Sequence, residues 1–255
     1  CSVGVGAKPV AGRVALVTGG SSGIGKATVL AFARAGARVI GADSDMERGA
    51  AVAREAQAEG LAVEVVAIDL SSSDSIRKCA AEVLARYPRL DILVNAAGYS
   101  AVEAFASNKP GYIDQVVAIN LGGTLHLTQA LLPGLIASGK GKIVNVASDA
   151  GRVGSSGETA YAAAKGGVIA FTKSLAREVA RHSICVNCVC PGPTDTPMLR
   201  SRPEKMLDAF LKAIPFKRFA EPREIADAIL FFASPRSDYI TAQVLGAMVG
   251  AILAY

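Results

Sequence analysis

Seven short apolar runs, separated by longer stretches with helical spacing, constrain this chain more than any other feature. The runs are Val14–Val17, Val39–Ala42, Val63–Ile68, Ile92–Val94, Ile143–Val146, Ile184–Val189 and Ile240–Leu245. Each is apolar almost throughout rather than alternating, as a strand covered on both faces must be. Between them Lys26–Ala35, Glu47–Glu59, Ser75–Tyr87, Ile113–Ile136 and Ala160–Arg181 repeat apolar residues at helical intervals. Regular strand–helix alternation implies parallel pairing through right-handed crossovers. The expected fold is α/β: a Rossmann-type, doubly wound parallel sheet of about seven strands, in a single domain over residues 12–255.

A chain of 255 residues buries one sizeable core, and 51% hydrophobic against 19% charged residues excludes a disordered chain. The formal charge of +5 comes from scattered Lys and Arg, so no nucleic-acid partner is expected. Residues 1–11 read as a disordered leader without the apolar stretch of a signal peptide. Ile240–Tyr255 is too short and too interrupted by Gly to span a bilayer, so no membrane partner and a cytoplasmic location are expected. Cys185, Cys188 and Cys190 are spaced like metal ligands but fall on an apolar run. Alternation puts Cys188 and Cys190 on one face and Cys185 on the other, which suits core thiols, and no metal is expected.

Thr18-Gly19-Gly20-Ser21-Ser22-Gly23-Ile24-Gly25 follows the first strand and opens a helix. Glycines let the backbone turn tightly beside a pyrophosphate, and the N–H groups of the helix start point at the anion. Asp43 ends the second strand, where a carboxylate accepts from ribose hydroxyls and repels a 2′-phosphate; a helix cap is the bland alternative. Tyr161 and Lys165, four apart, share a helix face. An ammonium there is expected to lower the phenol's pKa and make Tyr161 a proton donor and acceptor. Ser148 ends the fifth strand, where ligands sit in such sheets, and its hydroxyl suits a developing oxyanion. His126 and His182 do not convert Ser148 into a hydrolase nucleophile, because no Gly-x-Ser-x-Gly surrounds it.

The Thr-Gly-x-x-x-Gly-x-Gly loop, Ser148 and the Tyr161/Lys165 pair together resemble the short-chain dehydrogenase/reductase family, from about Gly12 to Leu245. The resemblance implies a nicotinamide cofactor on the glycine loop, held by Gly19, Ser21, Ser22, Gly23 and Ile24. It implies NAD rather than NADP, because Ser22 stands where NADP-using relatives often carry Arg or Lys. Asp69 and Leu70 would meet the adenine edge, and Asn95, Ala97 and Gly98 the adenosine ribose, with Ala96 replacing the family's second Asn. Asn120 would complete a tetrad with Ser148, Tyr161 and Lys165, supporting a water that links Lys165 to solvent. Lys165 would also hold the nicotinamide ribose, and Pro191, Gly192, Thr194 and Thr196 the nicotinamide end.

The stretches Val146–Gly167 and Cys190–Leu199 resemble dehydrogenases of alicyclic hydroxyacyl-CoA thioesters, the 2-hydroxycyclohexanecarboxyl-CoA dehydrogenases among them, and 3-oxoacyl thioester reductases. The resulting expectation is an NAD-dependent oxidoreductase of a secondary alcohol, either a β-hydroxyacyl thioester or a cyclic alcohol. The alternatives are a 3-oxoacyl-ACP/CoA reductase running reductively and a non-catalytic dinucleotide sensor. Residues 193–217, rich in Pro, read as a lid, and its Arg200, Arg202, Lys205, Lys212, Lys217 and Arg218 suit either CoA phosphates or solvated helix faces. A homotetramer is implied, with an unusual tail in which Met248, Val249, Ile252 and Leu253 suggest a partner surface.

Overall fold

Each of the seven apolar runs overlaps a strand of one parallel sheet in the computed structural model, which describes residues 8–248. The strands are β1 (Val14–Thr18), β2 (Arg38–Asp43), β3 (Val63–Ala67), β4 (Ile92–Asn95), β5 (Lys142–Val146), β6 (Cys185–Pro191) and β7 (Val244–Ala247). They lie in the order β3-β2-β1-β4-β5-β6-β7, and every neighbouring pair is parallel. The helices are α1 (Gly23–Arg34), α2 (Met46–Ala58), α3 (Ser73–Arg86), α4 (Tyr112–Val117), α5 (Gly123–Ser138), α6 (Ala150–Val153), α7 (Thr159–Val179), α8 (Pro197–Arg200), α9 (Glu204–Ala213) and α10 (Pro222–Ala233).

Two cores sandwich the sheet. Val29 and Phe32 of α1, Val52 of α2 and Ile225, Ile229 and Phe232 of α10 cover one face. Ile76 and Val83 of α3, Leu127 and Leu131 of α5 and Leu175 of α7 cover the other. This double coverage is why the strands read as apolar rather than alternating. Cys188 and Cys190 share a face with sulfurs 3.9 Å apart, while Cys185 reaches the Asp238 carbonyl. No helix among the described residues is long and apolar enough to cross a membrane.

Four sequence expectations need adjustment. Ile113–Ile136 is not one helix: a π-helical turn, Ala118–Gly122, separates α4 from α5. Asn120 sits in that turn and its Nδ2 donates to the Val116 carbonyl, drawing a polar side chain into the helix's own ladder. The leader boundary at residue 11 lies too far along, because Val10 is buried against the core and its N–H donates to the Ala35 carbonyl. The last strand starts at Val244, since Asn187 holds the preceding chain in a turn, donating to the Ile240 carbonyl and accepting from Gln243 N–H. Met248 is half-buried against Gly192 and Arg152 rather than exposed, and Val249, Ile252 and Leu253 lie outside the described residues.

The helix α10 was not singled out from the sequence, yet it packs on α1. Its start was legible: Glu221 and Glu224 form a reciprocal capping box, with Pro222 in the first turn.

Phe32 is fully buried between α1 and the sheet. Phe32→Ala is expected to cost about 3–5 kcal/mol. That corresponds to a fall in Tm of about 6–20 °C, read by thermal denaturation.

Candidate active site

The carboxyl ends of β1, β2, β4, β5 and β6 open onto one cavity of about 450 Å³. At one end lies the glycine loop. Gly19 has φ +69°, and a Cβ there would stand 2.9 Å from the Ala97 Cα. A Cβ on Gly25 would stand 2.0 Å from the Gly19 carbonyl oxygen. Both positions therefore require glycine for backbone reasons. Helix α1 then begins without a side-chain cap and without an acidic residue in its first turn. Gly19, Ser22, Gly23 and Ile24 line the cavity there, so its wall carries the positive end of a helix. That wall fits an anionic pyrophosphate.

Ser21 does not line the cavity. Its N–H and Oγ–H both donate to Asp43 Oδ2, at 3.0 and 2.6 Å, and Asp45 N–H donates to Oδ1 at 3.1 Å. Ser21 therefore braces the Asp43 carboxylate, which does line the cavity. Asp69 and Leu70 line it too, and Asp69 Oδ1 accepts from Ser71 N–H and Oγ–H. Those hydrogen bonds hold the Asp69 carboxyl below the usual carboxylate range.

Asn95 also turns away. Its Nδ2 donates to Thr128 Oγ1 and to Asn145 Oδ1, at 3.1 and 2.8 Å. The Asn145 Nδ2 in turn donates to Thr172 Oγ1 at 2.9 Å. This buried network stitches β4 and β5 to α5 and α7. The next residues reach the cavity instead. Thr18 Oγ1 accepts from Ala96 and Ala97 N–H, and Ala97 and Gly98 line the wall.

The predicted proton-transfer groups converge in the middle of the cavity. Ser148 follows β5, Tyr161 stands in the first turn of α7, and Lys165 is one turn further on. Lys165 is buried and its Nζ donates to the Val146 carbonyl at 2.9 Å, tying α7 to the end of β5. Close packing allows this, because a Cβ on Gly151 of α6 would stand 2.7 Å from Gly166 N of α7. Asn120 is fully buried but does not line the cavity. It donates to the Tyr99 carbonyl at 2.7 Å and accepts from Tyr99 N–H at 3.1 Å, which holds the chain after β4 against α4.

One electrostatic expectation is reversed. Lys165 does not make Tyr161 acidic: its Nζ lies 5.7 Å from the ring centre and is bonded elsewhere. Burial and the Glu158 carboxylate push the phenol up to about 12, against a smaller downward pull from the Ser148 hydroxyl. Burial pushes the Lys165 ammonium down to about 8.

At the far end, Pro191, Gly192, Thr194 and Thr196 line the cavity. The Thr194 Oγ1 donates to the Gly192 carbonyl, and Thr196 Oγ1 caps α8 by accepting from Leu199 N–H. The excursion expected at 193–217 carries α8 and α9. Its base is closed by Asp195 N–H donating to Ala220 O and Ala220 N–H donating to Pro193 O. Its own small core is Leu199, Ile214 and Phe219, with Phe210 packed against it and facing the cavity.

Three cavity residues escaped sequence reasoning. Asp149, buried, accepts from Arg152 Nη1 at 3.0 Å, and burial raises its carboxyl. Glu158 and Arg202 form an ion pair of 2.5 Å. The sequence placed Arg202 only among scattered lid cations. Of those, Arg200 pairs with Asp195 and Arg218 with Glu224 at the surface, while Lys205 and Lys212 are exposed.

Comparison with known proteins agrees with this geometry. The family model described as short chain dehydrogenase matches residues 13–207. A 3-oxoacyl-(acyl-carrier-protein) reductase of Thermotoga maritima is 41% identical over 242 residues, covering 95% of this chain and 98% of that protein. A (3R)-3-hydroxyacyl-CoA dehydrogenase of Canis lupus familiaris is 38% identical, covering 89% of this chain and 92% of its own. A subunit of a hydroxy(phenyl)methylsuccinyl-CoA dehydrogenase of Thauera aromatica is 39% identical, covering 91% and 94%. The crystal structure of gox2181 superimposes with a TM-score of 0.90 at 33% identity, covering 94% of this chain and 95% of that one.

Gly25→Ala forces its new methyl against the Gly19 carbonyl and so moves the loop. Dinucleotide affinity is expected to fall about 10-fold or more, the equivalent of one charge-assisted hydrogen bond. Fluorescence titration with NADH and with NADPH reads the loss, and unchanged affinity refutes the role given to the loop.

Proposed function

The chain belongs to the short-chain dehydrogenase family and is an NAD(P)-dependent oxidoreductase of alcohol and ketone groups, and from that premise we propose that it reduces 3-oxoacyl thioesters, linked to CoA or to a carrier protein, to their 3-hydroxy products. The observation that carries this reading is one cavity at the carboxyl edge of the sheet, lined by Ser148, Tyr161 and Lys165 together with the glycine loop. Tyr161 gives a proton to the oxygen of a ketone in reduction and takes one from the alcohol in reverse. The thioester class is supported by relatives named for 3-oxoacyl reduction and for hydroxyacyl-CoA oxidation.

In this reading the bound nicotinamide supplies the hydride. Ser148 Oγ–H donates to the carbonyl oxygen and stabilises the charge that grows there. Tyr161 gives that oxygen its proton. Lys165 donates to the Val146 carbonyl and so fixes the Tyr161 turn of α7 against the end of β5. Asn120 acts through position, fixing Tyr99 and the wall beside Gly98. Ser22, Gly23 and Ile24 hold the pyrophosphate, Asp69, Leu70, Ala97 and Gly98 the adenosine, and Pro191, Gly192, Thr194 and Thr196 the carboxamide end.

NAD is the cofactor we assign in preference to NADP. Asp43 sets a carboxylate at the adenosine end of the cavity, and the nearest cation on that segment, Arg48, is paired with Asp45. Assembly as a homotetramer belongs to the same proposal and is supported by Ile113 and Val117, exposed and one turn apart on α4.

Two substitutions test these assignments. Tyr161→Phe is expected to lower kcat for an acetoacetyl thioester about 100-fold or more while leaving NADH affinity unchanged; full activity removes Tyr161 from the chemistry, and an inactive wild type removes the substrate class. Asp43→Ala is expected to reduce the NADH-over-NADPH ratio of kcat/KM by about 10-fold or more. A wild type that already prefers NADPH refutes the assignment of Asp43.

A further inference from the structure

The lid and the helix that carries Tyr161 meet at an ion pair. Helix α9 has no buried residue, and the small core of the lid is built from lid residues, not from the sheet. Arg202, between α8 and α9, reaches the body of the protein: Nη2 donates to Glu158 Oε1 at 2.5 Å and to Ser100 Oγ at 3.3 Å. Both side chains of the pair are 9% exposed. Ser100 Oγ–H donates to Glu158 Oε1 at 2.8 Å and Ser155 Oγ–H to Oε2 at 2.9 Å. The chain after β4, the turn before α7 and the lid thus share one buried carboxylate. Glu158 immediately precedes α7, and Tyr161 stands in the first turn of that helix. The carboxylate is therefore fixed about one helical turn from the phenol.

We propose that Arg202 is a positioning residue for proton transfer: seated against Glu158, it screens that carboxylate from Tyr161, so that the tyrosine exchanges its proton readily only with the lid in place. The inference rests on Tyr161 as the acid and base of the function proposed above. Three physical points support it. First, desolvation offsets much of the attraction within a buried ion pair, so stability alone does not account for one placed here. Second, charge of either sign acts strongly on a buried phenol. The Glu158 carboxylate disfavours the phenolate and the Arg202 guanidinium favours it. The other groups facing Tyr161 do not belong to the lid. The Ser148 hydroxyl follows β5, the Cys190 thiol is on β6, and the Lys165 Nζ is held by the Val146 carbonyl. Third, the two partners are anchored on different segments. Glu158 stays with Ser155 and α7, whereas Arg202 belongs to the excursion that lines the cavity through Leu199 and Phe210. Lifting the lid takes the guanidinium away and leaves the carboxylate beside Tyr161. In ketone reduction Tyr161 has to release its proton, and the seated lid is the state that favours release. Transfer is thereby held back until the lid has closed over substrate.

The test is the pH dependence of kcat/KM for oxidation of the 3-hydroxybutyryl thioester of N-acetylcysteamine by NAD⁺. Oxidation needs the phenolate, so the rate climbs with pH below the acidity constant of Tyr161. Arg202→Gln keeps a donor to Glu158 but loses the charge. Its rising limb is expected to move to higher pH, lowering kcat/KM about 5-fold or more at a fixed pH on the limb. Glu158→Gln leaves the guanidinium alone beside the phenol, and its limb is expected to move to lower pH by a comparable factor. Arg202→Lys restores a cation on the carboxylate and is expected to return the limb to the wild-type position. Unchanged NADH affinity shows that a variant is folded, and either single variant decides alone where the other is not. Losses at every pH with an unmoved limb, or shifts of the same sign in the two variants, are what a structural role gives; they overturn the inference while the function stands. A Tyr161→Phe enzyme that keeps the rising limb overturns the assigned acid and the inference together. A wild type that ignores the thioester overturns the substrate class alone, and the same limbs are then read on cyclohexanol.

Discussion

β1 is hydrogen-bonded to β2 on one side and to β4 on the other, so the chain's winding reverses about it. The loops that leave the carboxyl ends of β1 and β4 must therefore diverge to opposite faces of the sheet, and a crevice opens between them. Everything chemical in this protein borders that crevice. The glycine loop fills one side, Ala97 and Gly98 the other, and Ser148 stands at the next strand end. Thr18 spans the gap, accepting two N–H groups from the β4 loop with one hydroxyl. Behind it, Asn95, Asn145, Thr128 and Thr172 join the central strands to the helices below. Polar residues inside a sheet are costly unless bonded, and here the bonding fixes which strand end carries which loop.

Burial then sets the proton chemistry. Tyr161 and Lys165 are both taken from water, and the phenol moves up while the ammonium moves down. The two groups therefore move apart in acidity, each toward its neutral form, because burial disfavours both the phenolate and the ammonium. Glu158 reinforces the upward shift on Tyr161 and Arg202 opposes it. One ion pair thus bears on the acid and on the lid.

Regions where local and tertiary preferences agree were readable in advance. The apolar runs could only be strands covered on two faces, the helix-opening glycines could only be a close-approach turn, and Tyr161 and Lys165 had to share a face. Disagreement appears where a side chain's partner is distant in sequence. Ser21 and Asn95 belong to motifs that border the cavity, yet their partners Asp43 and Asn145 turn them into braces. The helical period of Ile113–Ile136 continues through Asn120, and only the buried contact of that side chain with Val116 and Tyr99 shows why the helix widens there.

The sequence by itself determined the sheet, its parallel sense, the glycine loop and the spacing of Tyr161 and Lys165, because these follow from periodicity and from backbone sterics within a few residues. Tertiary structure alone decided the direction of the pKa shifts and the singular position of Arg202. Burial is a property of the whole fold. A lid arginine reads the same in the sequence whether it faces solvent, as Arg200 does, or meets a carboxylate 44 residues earlier in the chain.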